Sequence, residues 1–235
     1  MKPLVSVVIP TYNEEKNIAR TLESILSQEF KQPFEIIVAD GESTDNTREI
    51  AKKYIKGVYK EIKHTIASGR QAGCGHAVGE ILVFTDADTI APKDWLAIMA
   101  NRFNDPNVVA VYGTAEVANP TFLEKLFARP AFSSYLWILA VLGMPSGAGF
   151  NIAVRKKDFD AVKGFKTELV TAEDIELLKK LKKRGKVVFE PKSFVTISPR
   201  RIRAWGLLKF TAFHVKNLFE IHFLGKSEKE YERIR

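Results

Sequence analysis

The chain has 235 residues, of which 46% are hydrophobic and 27% charged, and carries a formal net charge of +8. That length and apolar content suit one sizeable core and exclude a disordered chain. The positive charge calls for a partner rich in negative charge, and by itself it leaves nucleic acid, a nucleotide and an anionic membrane surface open.

Cys74 is the single cysteine, so no intramolecular disulfide can form; a reducing compartment, with Cys74 as a small packed residue, is the expectation. No basic segment followed by an apolar one precedes the first strand, so no cleaved signal is expected and the chain is placed on the cytoplasmic side.

Val5 to Ile9 reads as a buried strand. Pro10-Thr11-Tyr12-Asn13-Glu14 follows it, where a dinucleotide enzyme has a glycine-rich turn and a P-loop enzyme a lysine-bearing one, so neither class is expected. Glu14 to Ser27 reads as a helix capped by Asn13, with Ile18, Leu22, Ile25 and Leu26 on one face.

Phe34 to Ala39 is a second strand, Gly41 to Thr44 a polar turn, and Asp45 to Tyr54 a helix; Ile81 to Phe84 is a third strand. Directly after it, Thr85-Asp86-Ala87-Asp88 puts two carboxylates one residue apart where a buried strand leaves the core. Alternating strands and helices predict an open, mostly parallel sheet with ligands beyond the carboxyl ends of its strands. The polar exits 11–14, 40–45 and 86–89 then converge on one edge, and Asp86 and Asp88 become candidates to hold a divalent metal on a diphosphate.

Val108 to Thr114 and Val187 to Glu190 read as further strands. Ala172 to Arg184 reads as a helix with Ile175, Leu178 and Leu181 inward and Gly185 as its C-cap. No repeat or linker divides the chain, so one unit over residues 1–235 is expected.

Pro130 to Val154 carries no charged residue, yet Pro130 to Pro145 is shorter than the roughly 20 apolar residues a membrane span needs. Gly206 to Leu224 is apolar around a narrow stripe of Lys209, Lys216 and Glu220, with basic flanks at Arg200 to Arg203 and at Lys226. Helices over 121–145 and 205–225 are therefore expected to lie in a membrane interface, with a purely soluble fold as the alternative.

Val5 to Glu14, Asp40-Gly41-Glu42-Ser43-Thr44-Asp45, Asp86-Ala87-Asp88 and Glu173-Asp174, in that order, resemble the signatures of glycosyltransferase family 2, and the likeness runs from Val5 to about Trp205. The resemblance implies an α/β GT-A (Rossmann-like) fold, a mostly parallel central sheet flanked by helices. It also implies an inverting transferase that uses a nucleotide-diphosphate sugar with Mn2+ or Mg2+.

By that resemblance Pro10, Tyr12, Glu14 and Asp40 line the nucleoside pocket, Arg70 sits beside the nucleotide, Asp86 faces the ribose or sugar, and Asp88, with Asp86, holds the metal. Asp174 is the implied general base, with Glu173 beside it. Thr171-Ala172-Glu173-Asp174 also reads as a helix-start capping pattern. Ser146 to Asn151 resembles the acceptor and sugar-binding turn.

Two departures stand out. Gly41 occupies a position where the family often has a second aspartate. Arg200-Arg201-Ile202-Arg203-Ala204-Trp205 replaces the Gln-x-x-Arg-Trp of cellulose-synthase-like members, leaving Arg201 and Arg203 to clamp the diphosphate with Trp205 closing over the sugar, or the cluster as a basic membrane-facing patch.

The expected reaction is transfer of a hexose, mannose from GDP-mannose first and UDP-sugars next, to a lipid-linked acceptor such as a polyprenyl or dolichyl phosphate at the cytoplasmic face of a membrane. A soluble UDP-sugar transferase with a saccharide acceptor and a soluble nucleotidyltransferase are alternatives within enzymes. A nucleic-acid-binding protein is the reading from another class, and the chain carries no zinc, helix-turn-helix or aromatic-basic RNA signature for it.

Overall fold

The computed structural model describes residues 2–63 and 65–224, so Lys226 and the last position of the 205–225 helix lie outside the described residues. The strands are β1 (Val5–Thr11), β2 (Phe34–Asp40), β3 (Val58–Lys60), β4 (Ile81–Phe84), β5 (Val108–Val117), β6 (Ile152–Arg155) and β7 (Lys186–Ile197). They form one sheet in the order β3-β2-β1-β4-β6-β5-β7. The expected fold class holds: helices flank a central, mostly parallel sheet.

Alternation along β1 explains the layering. Val5, Val7 and Ile9 face one buried cluster with Ile18, Leu22 and Trp95, while Val8 faces the other with Leu82, Phe84 and Phe159. A strand covered on both faces needs apolar residues at nearly every position, as Val5 to Ile9 has.

The flanking helices include α1 (Ile18–Leu26), α2 (Thr47–Tyr54), α3 (Ile66–His76) and α4 (Trp95–Asn101). The second half adds α5 (Phe122–Val141), α6 (Lys156–Ala161), α7 (Glu173–Leu181), α8 (Arg200–Trp205) and α9 (Leu207–Phe219), which passes into a π-helical turn, Glu220–Leu224.

The elements without a clear sequence signal do much to shape the site edge. β6 runs antiparallel to both β4 and β5, pairing Ile152 with Phe84 and with Tyr112. Its first residue therefore lies at the carboxyl end of β4, and the Ser146 to Asn151 turn enters beside Asp86 and Asp88. A missed helix, α3, is opened by a capping box between Thr65 and Ser68 and contains several glycines. A Cβ on Gly73 would lie 2.5 Å from Val8 Cγ1, so the missing side chain lets α3 press onto β1.

Several boundaries differ from expectation, and at three helix ends the cause is visible. The first helix starts at Ile18 after Asn17; Asn13 is instead left-handed (φ 53°) and its Oδ1 accepts from the Thr44 amide at 2.8 Å, tying the β1 exit to the β2 exit. The second starts at Thr47, because the Asp45 carboxylate accepts from the Thr47 amide (3.0 Å) and hydroxyl (2.5 Å) in the preceding turn. The helix expected to reach Arg184 ends at Leu181, and its inward stripe is Leu177, Leu178 and Leu181, with Ile175 only half-buried. Gly185 is not its cap. It is needed for close approach, since a Cβ there would lie 2.6 Å from the Asn107 carbonyl oxygen.

Candidate active site

The first donor-side segment is held by Asp40, fully buried at the end of β2. Its carboxylate accepts from the Ser43 amide (3.0 Å), the Ser43 hydroxyl (2.6 Å) and the Thr11 hydroxyl (3.3 Å), and Arg48 Nε lies 3.7 Å away. Those bonds shape the turn after β2. Pro10 and Tyr12 are half-buried beside it on the β1 exit.

Glu14 and Asp88 meet through an arginine. Arg200 Nη2 lies 2.6 Å from Glu14 Oε1 and 3.1 Å from Asp88 Oδ2, and Nη1 donates to Glu14 Oε2 at 3.2 Å. Burial pushes the Asp88 carboxyl up to about 6, against the pull of Arg200.

Arg200 was not among the residues singled out from the cluster. Arg201 instead lies over the Trp205 ring at 5.5 Å, Arg203 donates to the Asn119 carbonyl at 2.9 Å, and Trp205 packs edge-on against Phe213. The sequence marked this basic run but not which member points inward, because α8 is a single short helix with no buried residue to betray its inner face.

The second cluster joins α3, the β4 exit and α7. Arg70, 2% exposed, donates through Nη2 to Asp86 Oδ1 at 2.7 Å and through Nη1 to Glu173 Oε1. Asp174 is next to that pair. Its Oδ2 accepts from the Gly149 amide at 2.7 Å, and its Oδ1 accepts from the Ile175 amide at 2.8 Å. The capping pattern is not formed as read, since the N-cap is Ala172 with no side-chain cap bond; Asp174 bonds only the next residue's amide, and its other oxygen belongs to the Ser146 to Asn151 turn.

Burial raises Asp174, opposed by Arg70 and the two amides, and burial followed by the Asp174 charge raises Glu173. A carboxylate raised in this way holds a proton more readily than a free one, as a general base must.

Asn151, which the sequence places only as the end of the Ser146 to Asn151 turn, fixes that turn from below. It is fully buried: Nδ2 donates to the carbonyls of Thr114 (2.8 Å) and Ser193 (3.1 Å), and Oδ1 accepts from Trp95 Nε1 (2.9 Å) and the Ser193 hydroxyl (3.1 Å). One side chain so binds β5, β7 and α4 to the start of β6. Cys74 is the buried packing residue expected, its thiol raised by burial and so not a nucleophile.

A model of glycosyl transferase family 2 matches residues 6–162. The chain belongs to that family.

Among similar proteins, AglE of Haloferax volcanii, a glycosyltransferase, is 26% identical over 190 residues, covering 78% of this chain and 62% of AglE. WfgD of Escherichia coli is named as a UDP-Glc:alpha-D-GlcNAc-diphosphoundecaprenol beta-1,3-glucosyltransferase. It is 29% identical over 145 residues, covering 60% of this chain and 57% of WfgD. The mannosyltransferase PcManGT of Pyrobaculum calidifontis, solved with GDP-Man and Mn2+, superposes with a TM-score of 0.78 at 25% identity, over 97% of this chain and 66% of PcManGT. The chain therefore spans about three-fifths of the length of these two curated relatives, 62% and 57%.

The donor set fits a metal shared with substrate. Asp88 and Asp86 offer hard carboxylate oxygens on one short exit, and no group of three or more His, Cys, Asp or Glu among the described residues could hold an ion by protein alone. Magnesium or manganese held by one or two carboxylates, with substrate phosphates completing its shell, matches that arrangement.

Proposed function

We propose that this family 2 chain is an inverting glycosyltransferase, its described residues forming a single GT-A catalytic domain. It moves a hexose from a nucleotide-diphosphate sugar to a lipid-linked acceptor at the cytoplasmic face of a membrane. The observation that carries the reading is the meeting, at one sheet edge, of the Asp86-Asp88 exit with the Glu173-Asp174 pair through Arg70.

Asp88, with Asp86, would hold Mn2+ or Mg2+, which when bound supplies positive charge to the departing nucleoside diphosphate. Arg200, 3.1 Å from Asp88, adds a guanidinium at the same place. Pro10, Tyr12, Glu14 and the turn built by Asp40 bound the nucleoside side. Asp174 takes the proton of the acceptor hydroxyl as its oxygen bonds to the anomeric carbon. The carbon–oxygen bond to the diphosphate breaks on the opposite face and the nucleotide leaves with the electron pair, inverting the centre.

GDP-mannose is the first donor to expect, on the likeness to PcManGT. A UDP-sugar is the second reading, favoured by the donor in WfgD's name.

The lipid-linked acceptor and the membrane surface are supported by side chains left in solvent. Trp137, Ile138, Val141 and Leu142 at the end of α5 are 50 to 67% exposed, and Leu208, Val215, Phe219, Phe223 and Leu224 on α9 and its π turn are 47 to 87% exposed. Both sets are tied to α7, the helix that begins with the acidic pair: Lys182 donates to the Gly143 carbonyl, and Lys179 to those of Ile221 (3.1 Å) and His222 (2.7 Å). No helix among the described residues is long and apolar enough to cross a membrane, so the contact proposed is interfacial. Arg201, Arg203 and Trp205 belong to its basic and aromatic flank.

The test is a donor screen with Mn2+ and Mg2+, following nucleoside-diphosphate release with and without a polyprenyl phosphate. GDP-mannose turnover that rises with the lipid is expected. Turnover of UDP-glucose but not GDP-mannose would overturn the mannose assignment, and turnover with a soluble saccharide but no lipid would overturn the acceptor class.

A further inference from the structure

We propose that Arg70 is a positioning residue that couples the donor-side Asp86 to the acceptor-side Asp174, and that it is not a ligand of the nucleotide. The proposal rests on the reading of Asp86 and Asp174 given above, and it assigns Arg70 a different place from the one its motif implies.

The guanidinium has little surface to offer a ligand. Arg70 is 2% exposed, and both terminal nitrogens are engaged, Nη2 by Asp86 at 2.7 Å and Nη1 by Glu173. The backbone of the acceptor-side turn lies across it: a Cβ added to Gly149 would stand 2.2 Å from Nη1, 2.4 Å from Cζ and 2.5 Å from Nη2. That same Gly149 donates its amide to Asp174 Oδ2 at 2.7 Å.

Asp174 is therefore oriented from two sides by one planar group. On one side Arg70 anchors Glu173, the preceding residue of α7. On the other it supports the peptide that bonds the Asp174 carboxylate. A guanidinium can do this because its donors are fixed in a rigid fork, whereas a lysine ammonium is a single point on a flexible stem. A shift of Asp86 is passed to Glu173 and Gly149 through this rigid group, because the close-packed surroundings leave it no room to yield.

The experiment uses the full chain labelled with [15N]glycine and follows the Gly149 amide, which reports its bond to Asp174. Asp86→Asn should move that resonance in the otherwise native chain and leave it in place in an Arg70→Lys background. In transfer assays with GDP-mannose and UDP-glucose, Arg70→Lys should lower kcat by about 10²-fold, the cost of a misplaced reacting group, with the donor KM unchanged.

An unmoved Gly149 amide in Asp86→Asn would overturn the coupling. A raised donor KM with native kcat in Arg70→Lys would overturn the positioning role and make Arg70 a donor ligand. If the native chain uses neither donor, the functional reading falls while the amide measurement still decides the coupling. If Arg70→Lys does not fold, the Asp86→Asn arm decides it alone.

Discussion

Two apolar helices of this chain meet opposite fates. α1 buries Ile18, Thr21, Leu22 and Ile25 against the sheet and leaves its polar side outward. α9 is at least as apolar but buries only Asn217 and Leu218 among its residues with described side chains, while Leu208, Val215 and Phe219 stand in solvent. The hydrophobic effect rewards removal from water and is indifferent to what replaces it. Where the described residues offer no covering surface, the apolar side chains of α9 call for a partner, and the proposed partner is a bilayer. On the proposed function, the α1 half would serve the donor edge and the α9 half the acceptor.

The sharpest way to break that division is at the acceptor base. Asp174→Asn should lower transfer by about 10³-fold, within the range general-base removal produces, while donor binding followed by calorimetry with Mn2+ is retained. Full turnover in this variant would reduce Asp174 to its bonds with Gly149 and Ile175. On the donor side, Asp88→Asn should make nucleotide binding indifferent to Mn2+ in the same calorimetric titration.

The helices themselves can be compared directly. Leu22→Ala in α1 should cost about 2–5 kcal/mol in urea unfolding, because it opens a cavity in the core. Leu208→Ser with Phe219→Ser should change stability by no more than about 0.5 kcal/mol each, as surface substitutions do, yet weaken sedimentation with anionic vesicles. Equal vesicle binding by that double variant would remove the membrane from the proposal.

A smaller effect concerns pH. Burial, then the Asp174 charge, raises Glu173 above its ordinary 4.5, so the folded chain holds that proton more tightly than the unfolded one. The associated stability is complete below the unfolded value and is lost as pH rises through the folded one. Unfolding free energy measured from pH 4.5 upward should fall, and Glu173→Gln should flatten the slope.

Much of the donor edge was legible because periodicity reports burial. Val5 to Ile9 and Ile81 to Phe84 are apolar at nearly every position, and their polar exits had to lie at the strand ends. Family likeness, rather than spacing, singled out Glu173 and Asp174. α3 and β6 escaped for opposite reasons: the glycines of α3 erase a helical pattern, and the four residues of β6 are too few to show one.

The local sequence by itself determined the parallel half-sheet, the convergence of its exits and the excess of apolar surface, since each depends on neighbours a few positions away. Only the tertiary structure decided that Arg70 meets Glu173, 103 residues on, and that Arg200 meets Glu14, 186 residues back. Such pairs leave no trace in local spacing. They follow from where the antiparallel β6 and the packing of α7 and α8 bring distant charges into shared burial, where each needs a partner.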